Sequence, residues 1–383
     1  MQQYNYPTII YYGAGSVNAL ADKLQENEYK KILIVTDKTL VNLGISNELI
    51  IELEKGDLPF AVFDGTQPNP TDEHVQEGLA VYREQKCDSI IALGGGSPID
   101  TAKVIKIMVS HPPPLSQYED GKGGDRLIIN PMPPLYAIPT TAGTGSEVGR
   151  SAVIIMKDTG EKTIFFHPEL MPSIAVLEPK FSRVLPPQIT AATGIDAFSH
   201  NLEAYLASGF HPMADGIALE GIKLIISNLP VVYKNGNNLD ARGKMLMAAS
   251  MGATAFQKGL GMIHSLAHPL SAKYNMHHGL ANALLLPFAV AFLEKSDLNN
   301  DQKRRLEIVL QLFIDAGFAE HSLSEACKNF FISLGIEFKL SKHSVPESDL
   351  EVLSEQAFRD PCHATNMIPV TKGDLLFLYK SAF

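Results

Sequence analysis

At Leu185-Pro186-Pro187 the chain changes texture, and that change limits it to a two-part architecture. Before it, short β-branched and aromatic runs alternate with stretches of helical spacing: Thr8–Tyr12, Lys31–Val35, Phe60–Phe63, Ser89–Leu93, Leu135–Ile138, Ser151–Met156 and Ser173–Leu177. Strands separated by helices fold as crossover units, so this half is expected to be an α/β domain around a mainly parallel sheet. After it, such runs nearly vanish, and helical spacing takes over in Asp196–Ser208, Met213–Ser227, Ala241–Phe256 and Gln302–Ala316. The second half is expected to be all helix. The expected domains are therefore residues 1–180 and 181–383, and a cleft between two such domains is where cofactor and substrate usually meet.

Composition narrows the function. The 383 residues are 45% hydrophobic and 19% charged, enough to bury large cores. The net charge of −10 and the lack of a Lys/Arg run argue against a nucleic-acid or anionic-membrane partner. Three scattered cysteines, Cys87, Cys327 and Cys362, suggest neither a disulfide framework nor a Cys-based zinc site, and a reducing cytoplasm fits them. The start of the chain lacks the basic and apolar stretches of a signal peptide. The apolar run Ala283–Leu293 is interrupted by Pro287 and is shorter than the roughly 20 residues a bilayer needs. A soluble, unexported protein is expected.

The apolar run Ser89–Leu93 leads straight into Gly94-Gly95-Gly96-Ser97-Pro98-Ile99-Asp100-Thr101-Ala102-Lys103. Three glycines let backbone approach a phosphate. Ser97 reads as a helix cap, Pro98 as the first helical residue and Asp100 as the partner in a capping box, so a helix should begin here with its positive end toward the loop. The same residues also describe a plain strand-to-helix turn, and they do not match the G-x-G-x-x-G dinucleotide pattern. A second polar loop, Thr140-Thr141-Ala142-Gly143-Thr144-Gly145-Ser146-Glu147, follows the run Leu135–Ile138. Two such loops at strand ends favour a nucleotide site, because ligands of parallel sheets bind beyond the strand C-termini. Asp37 closes the run Lys31–Val35 and either meets an adenosine ribose, disfavouring a 2′-phosphate, or opens a turn before Lys38.

Chemistry concentrates in the second half. Asp196 and His200 are four apart, so on a helix they share one face. His264 and His268 repeat that spacing, and His277-His278 follow. Five of the 12 histidines fall in this set. Together they read as a metal site. Three neutral imidazoles and one carboxylate would leave a divalent ion with net charge near +1 and an open position for a substrate oxygen. With no thiolate, Fe(II), Zn(II), Co(II) and Mn(II) all suit such donors.

Over nearly its whole length the sequence resembles the iron-containing (group III) alcohol dehydrogenases. The resemblance rests on Gly94–Lys103, Ala137–Val148, Gly194–His200 and, most specifically, Gly261–Gly279. It implies an N-terminal α/β dinucleotide-binding domain with a mainly parallel sheet and an all-α C-terminal metal-binding domain, a dehydroquinate synthase-like fold. It also implies NAD-linked exchange of hydride between an alcohol and its aldehyde or ketone. By matching positions, Asp196, His200, His264 and His278 would hold one divalent metal, Fe(II) first and Zn(II) second. His278 is taken over His277 because Gly279 follows it. Gly95, Gly96 and Ser97 would meet pyrophosphate, and Thr140, Thr141 and Ser146 the rest of the cofactor. Lys162 would lie near its ribose, with Asp37 marking NAD. His268 would relay a proton without binding metal, and Phe256 and Cys362 would shape the pocket. Relatives of this kind assemble as homodimers or larger homo-oligomers.

The sequence departs from the family pattern at Gly149-Arg150-Ser151, Lys258, His277 and Met367-Ile368. Those changes bear on the substrate rather than the chemistry. A glycerol dehydrogenase or hydroxyacid-oxoacid transhydrogenase would share the fold with different ligands and substrate loops. A dehydroquinate synthase-like lyase would need a basic cluster for an anionic substrate, and none is evident. A non-catalytic binding module would not need an intact ligand set.

Overall fold

The computed structural model describes Tyr6, Thr8–Phe318 and Glu320–Phe383. Contacts divide the chain into two compact units, one running to Thr141 and resuming over Gly145–Arg183, the other formed by Ala142–Thr144 and Val184–Phe383.

The first unit carries eight strands: β1 Ile9–Tyr12, β2 Ile32–Asp37, β3 Phe60–Thr66, β4 Ser89–Gly94, β5 Leu135–Pro139, β6 Ser151–Met156, β7 Glu161–Phe166 and β8 Ile174–Leu177. Six make one sheet in the order β1-β8-β5-β4-β2-β3, and all its pairings are parallel. Central strands of such a sheet are covered on both faces and so need unbroken apolar runs. Every residue of β4, β5 and β8 is buried, as is β2 up to Asp37. The edge strand β1 leaves Ile9 and Tyr12 exposed.

One expected sheet strand belongs elsewhere. Ser151–Met156 pairs antiparallel with β7, from Ser151 opposite Phe166 to Met156 opposite Glu161. The texture reading passes over β7. Its alternating burial partner β6 has one covered and one open face, the mark of a ribbon strand rather than a doubly buried one.

The turn after β4 also differs from expectation. The helix begins at Gly96 with Gly95 as its cap and no side-chain cap bond, so Ser97 and Pro98 lie inside the first turn. Asp100 closes no capping box. Its carboxylate accepts instead from Ser146 Oγ at 2.6 Å and from the Val153 N–H at 3.0 Å. Gly94 is required where it stands, because its φ is +157° and a Cβ there would sit 2.4 Å from Pro98 Cγ.

The second unit is helical, with no strand among its described residues. Its central helix, Pro187–Leu206, starts on a proline, whose missing N–H costs nothing in the first turn. Every residue from Thr190 to Leu206 is buried. Close approach depends on small residues: a Cβ on Gly194 would stand 2.4 Å from Leu229 Cδ1. The helices Pro212–Lys234 and Leu239–Ala255 pack on it, followed by Met262–Tyr274 and His278–Lys295. By length and composition alone, Pro212–Lys234 is apolar enough to cross a membrane. Its buried residues, from Ala214 through Ala218, Ile222 and Ile225 to Leu229, recur along one face, the pattern of a helix laid on a core.

Candidate metal centre

Four segments of the helical unit bring the chemistry together. On the central helix, Asp196 and His200 share a face, and Glu203 lies on the same stripe one turn further. The Met262–Tyr274 helix contributes His264 and, one turn on, His268. That helix ends at Asn275, in the left-handed conformation with φ 50°. The chain then passes through exposed His277 and begins a new helix at His278. Gly279 makes the approach possible: a Cβ there would lie 1.9 Å from the Ala192 carbonyl oxygen and 3.2 Å from Asp196 Cβ. Any side chain would push His278 away from Asp196.

Three imidazoles approach Asp196, and of these His278 lies outside the group of Asp196, His200 and His264 whose ligand atoms are all within 4.8 Å of one another. Asp196 Oδ1 lies 3.5 Å from His278 Nε2, 3.9 Å from His264 Nε2 and 4.0 Å from His200 Nε2. Two atoms that each sit about 2.0–2.2 Å from one ion can be at most roughly 4.3 Å apart, so all three separations suit a single divalent metal. Asp196, His200 and His264 are buried and offer ligand atoms within 4.8 Å of one another. His264 Nε2 is buried with no hydrogen-bond partner, whereas its Nδ1 stands 2.5 Å from Glu203 Oε2. One nitrogen is thus oriented by a carboxylate while the other presents its lone pair to the site, as in many carboxylate–histidine–metal arrangements.

Charge states fit the same purpose. Burial pushes the His200 imidazole down to about 4 and holds His278 well below its ordinary value, so both are neutral and able to ligate near pH 7. Burial works against a charged Asp196, but the imidazoles of His200, His278 and His264 outweigh it and keep the carboxylate ionised. For His264, burial opposes the proton, while the hydrogen bond and charge of Glu203 override it and raise the pKa. Asn282, fully buried four residues after His278, donates to Asp196 Oδ1 at 2.8 Å and steadies the carboxylate.

Iron-containing alcohol dehydrogenase family patterns match residues 7–179, and the family's C-terminal pattern matches residues 190–383. This chain belongs to the iron-containing alcohol dehydrogenase family. It is 38% identical to 4-hydroxybutyrate dehydrogenase from Cupriavidus necator, with 96% of each chain covered. It superposes on the crystal structure of 1,3-propanediol oxidoreductase with a TM-score of 0.91 at 32% identity, covering 100% of both chains. It superposes also on sulfoacetaldehyde reductase from Bifidobacterium kashiwanohense in complex with NAD+, with a TM-score of 0.88 at 26% identity, covering 100% of this chain and 98% of that one. The protein is a metal-dependent, NAD-linked alcohol dehydrogenase that interconverts an alcohol with its aldehyde or ketone.

The remaining residues of this alcohol dehydrogenase fall into separate places. In the helical unit, His268 is half-exposed and its Nδ1 lies 2.7 Å from Asp360 Oδ2. The Phe256 ring stands 5.2 Å from the His200 ring, centre to centre. Cys362 sits on the short turn Pro361–Thr365. In the sheet unit, Asp37, the Gly95-Gly96-Ser97 turn and Thr140-Thr141 follow β2, β4 and β5, three adjacent strands that end on one edge. Asp37 Oδ1 accepts from the Leu40 N–H at 3.0 Å and caps the helix Lys38–Asn42. A Cβ on Gly95 would meet Thr141 Oγ1 at 3.2 Å, so the two loops touch. Ser146 is held by its neighbours, its hydroxyl donating to Asp100 and accepting from buried Lys103 Nζ at 2.9 Å. Lys162 is exposed on the β6–β7 ribbon.

Sequence reasoning missed Glu203, Asn282 and Asp360. Glu203 had a signal, since it stands seven after Asp196 and three after His200 on the same helical stripe. Asn282 had a weaker one, four residues beyond His278. Asp360 had none near it in sequence.

Proposed function

We propose that Asp196, His200, His264 and His278 hold Fe(II) as the working metal, with Zn(II) as the alternative occupant, and that NAD lies along the ends of β2, β4 and β5. The observation that carries this is the approach of three imidazole nitrogens to Asp196 Oδ1, at 3.5, 3.9 and 4.0 Å, with Asp196, His200 and His264 forming one mutually close group. When bound, the metal supplies Lewis acidity to a substrate oxygen and the nicotinamide supplies or accepts hydride. The chain's own residues do the rest. Glu203 and Asn282 hold His264 and Asp196 in their ligating orientations. His268, anchored by Asp360, moves the proton that accompanies alcohol oxidation, and Phe256 and Cys362 wall the substrate. Free N–H groups at the start of the Gly96–Ser110 helix and the Gly95–Ser97 backbone meet pyrophosphate. Thr140 and Thr141 border it, and Lys162 reaches the ribose from the ribbon.

The substrate is a small alcohol or aldehyde, and the working assembly is a homodimer or larger homo-oligomer. The edge position of β1 in the sheet supports the latter as a place for strand pairing between copies. A cytoplasmic location is supported by the three free cysteines. The test is NAD reduction across an alcohol panel, after metal stripping and reloading with Fe(II) or Zn(II). Activity restored by Fe(II) above Zn(II) is expected, and metal-independent turnover would overturn the reading.

Cofactor choice follows from Asp37. A carboxylate at the end of β2 repels a 2′-phosphate, so NAD is expected to be preferred strongly over NADP, with Asp37→Gly narrowing the gap. The loss of the helix cap to Gly costs only roughly 0.3 kcal/mol of stability. The ratio of kcat/KM for the two cofactors in both proteins checks this, and equal use of NAD and NADP by the unmodified enzyme would refute it.

A further inference from the structure

We propose that His268, Asp360 and Cys362 form a second divalent-cation site, suited to a thiophilic ion such as Zn(II) or Cd(II), whose occupation inhibits the enzyme without displacing the first metal. The site shares no ligand with Asp196, His200, His264 and His278. It offers an imidazole, a carboxylate and a thiol, with donor atoms within 4.8 Å of one another.

The three side chains are held by a built scaffold. Asp360 caps the short turn Pro361–Thr365, its Oδ1 accepting from the Cys362 N–H at 2.9 Å. The same oxygen accepts from Ser265 Oγ at 2.9 Å, and Ser265 Oγ accepts in turn from the His363 N–H at 2.9 Å. Ser265 lies three residues before His268 on the same helix. The turn bearing two donors is thus pinned to the helix bearing the third. Asp360 Oδ2, left over from the capping, stands 2.7 Å from His268 Nδ1. Donors of a tetrahedral zinc with bonds of about 2.0–2.1 Å lie roughly 3.3 Å apart, so a cation needs those two groups to open by only about half an ångström.

The donor chemistry selects the ion. Burial first, and then the Asp360 charge, push the Cys362 thiol far above its ordinary value, so without a cation it stays protonated. A soft cation replaces that proton, forming one metal–sulfur bond as one proton leaves to solvent, while the His268 proton passes from Nδ1 to Nε2 and frees Nδ1 for the ion. Thiolate plus carboxylate then balance the ion's two charges, which suits a half-buried place. Mg(II) and Ca(II), which take oxygen donors, gain little from sulfur. The other two cysteines, Cys87 and Cys327, are buried and far away in sequence, so they do not compete for the ion. The inhibition, unlike the binding, rests on the proposed proton-handling role of His268, whose Nδ1 the second ion would occupy.

The test uses enzyme carrying one Fe(II) per chain, titrated anaerobically with Cd(II). Metal content, the ultraviolet cadmium–thiolate band and NAD-linked alcohol oxidation are followed together. Expected is one Cd(II) bound per chain with the thiolate band, iron retained, and inhibition reversed by a chelator. Cys362→Ser should abolish the band, and Asp360→Asn should weaken Cd(II) binding at least tenfold. In both variants inhibition is read against that variant's own uninhibited rate. Stoichiometric loss of iron, a band that persists in Cys362→Ser, or no cadmium bound beyond the first site would overturn the proposal. Binding with full retention of activity would keep the site and refute the role of His268, which separates the two readings.

Discussion

His278→Ala is expected to lose its metal and fall to background turnover, while His277→Ala keeps both the metal and most of the activity. The two neighbours occupy different structures. His278 is the first residue of its helix, with Nε2 at 3.5 Å from Asp196 Oδ1 and its approach secured by Gly279. His277 precedes that helix as an exposed residue, and its ring feels the Asp196 carboxylate only electrostatically. Truncating His278 removes one of four donors. The three that remain, Asp196, His200 and His264, are buried but too few to retain the ion. Truncating His277 removes a solvent-facing side chain, a change usually within about 0.5 kcal/mol of neutral. Elemental analysis and initial rates for the two variants prepared side by side decide the matter, and metal loss in His277→Ala with retention in His278→Ala would reverse the assignment.

The parts of this arrangement that local rules could read are those in which local geometry governs. The i, i+4 pairs Asp196/His200 and His264/His268 needed only helical spacing. Unbroken apolar runs at β2, β4, β5 and β8 needed only that a parallel sheet is covered on both faces. Where a long-range partner outbid a local one, local rules misled. Asp100 stands three residues after Ser97 and reads as a capping box, yet the folded chain offers it Ser146 Oγ and the Val153 N–H, 46 and 53 residues away. A carboxylate whose pKa is raised by desolvation draws on nearby Lys103 and on these donors more than on the helix end. The ribbon strand β7 escaped notice because Glu161-Lys162 open it and only Phe165 is fully covered. Its structure comes from pairing with β6, not from its own pattern.

Asp360 shows the same limit at the site itself. It lies 92 residues from His268, and nothing in its neighbourhood marks it as a histidine partner. In the fold, His268 holds its carboxyl well below the usual range despite burial. Residues that orient a functional group are set by tertiary packing, so they stay hidden until the helices are placed.

Glu203→Gln is expected to weaken metal binding by roughly 10- to 100-fold, the usual cost of losing a partner that orients a ligand, although the substitution conserves volume. The reason lies in proton geometry. Glu203 accepts from the Ile263 N–H at 2.6 Å and faces His264 Nδ1 at 2.5 Å, so both of its near contacts require an acceptor. A carboxylate offers two acceptor oxygens, and an amide only one. If the Gln carbonyl takes the Ile263 N–H, its NH2 faces Nδ1 and forces the ring's proton onto Nε2, the atom that should bind metal. If the amide is flipped, the NH2 confronts the Ile263 N–H and leaves that buried donor unsatisfied, at about 1–3 kcal/mol. Either way the metal site is impaired, by blocked lone pair or by a strained helix start. Glu203→Ala should cost more stability, because the N–H groups of both Ile263 and His264 then lose their acceptor. Metal affinity by chelator competition, together with thermal unfolding of the metal-free proteins, separates the two variants. The Gln variant should melt near the parent but bind metal weakly, and parental affinity in it would show that Glu203 does not set the His264 tautomer.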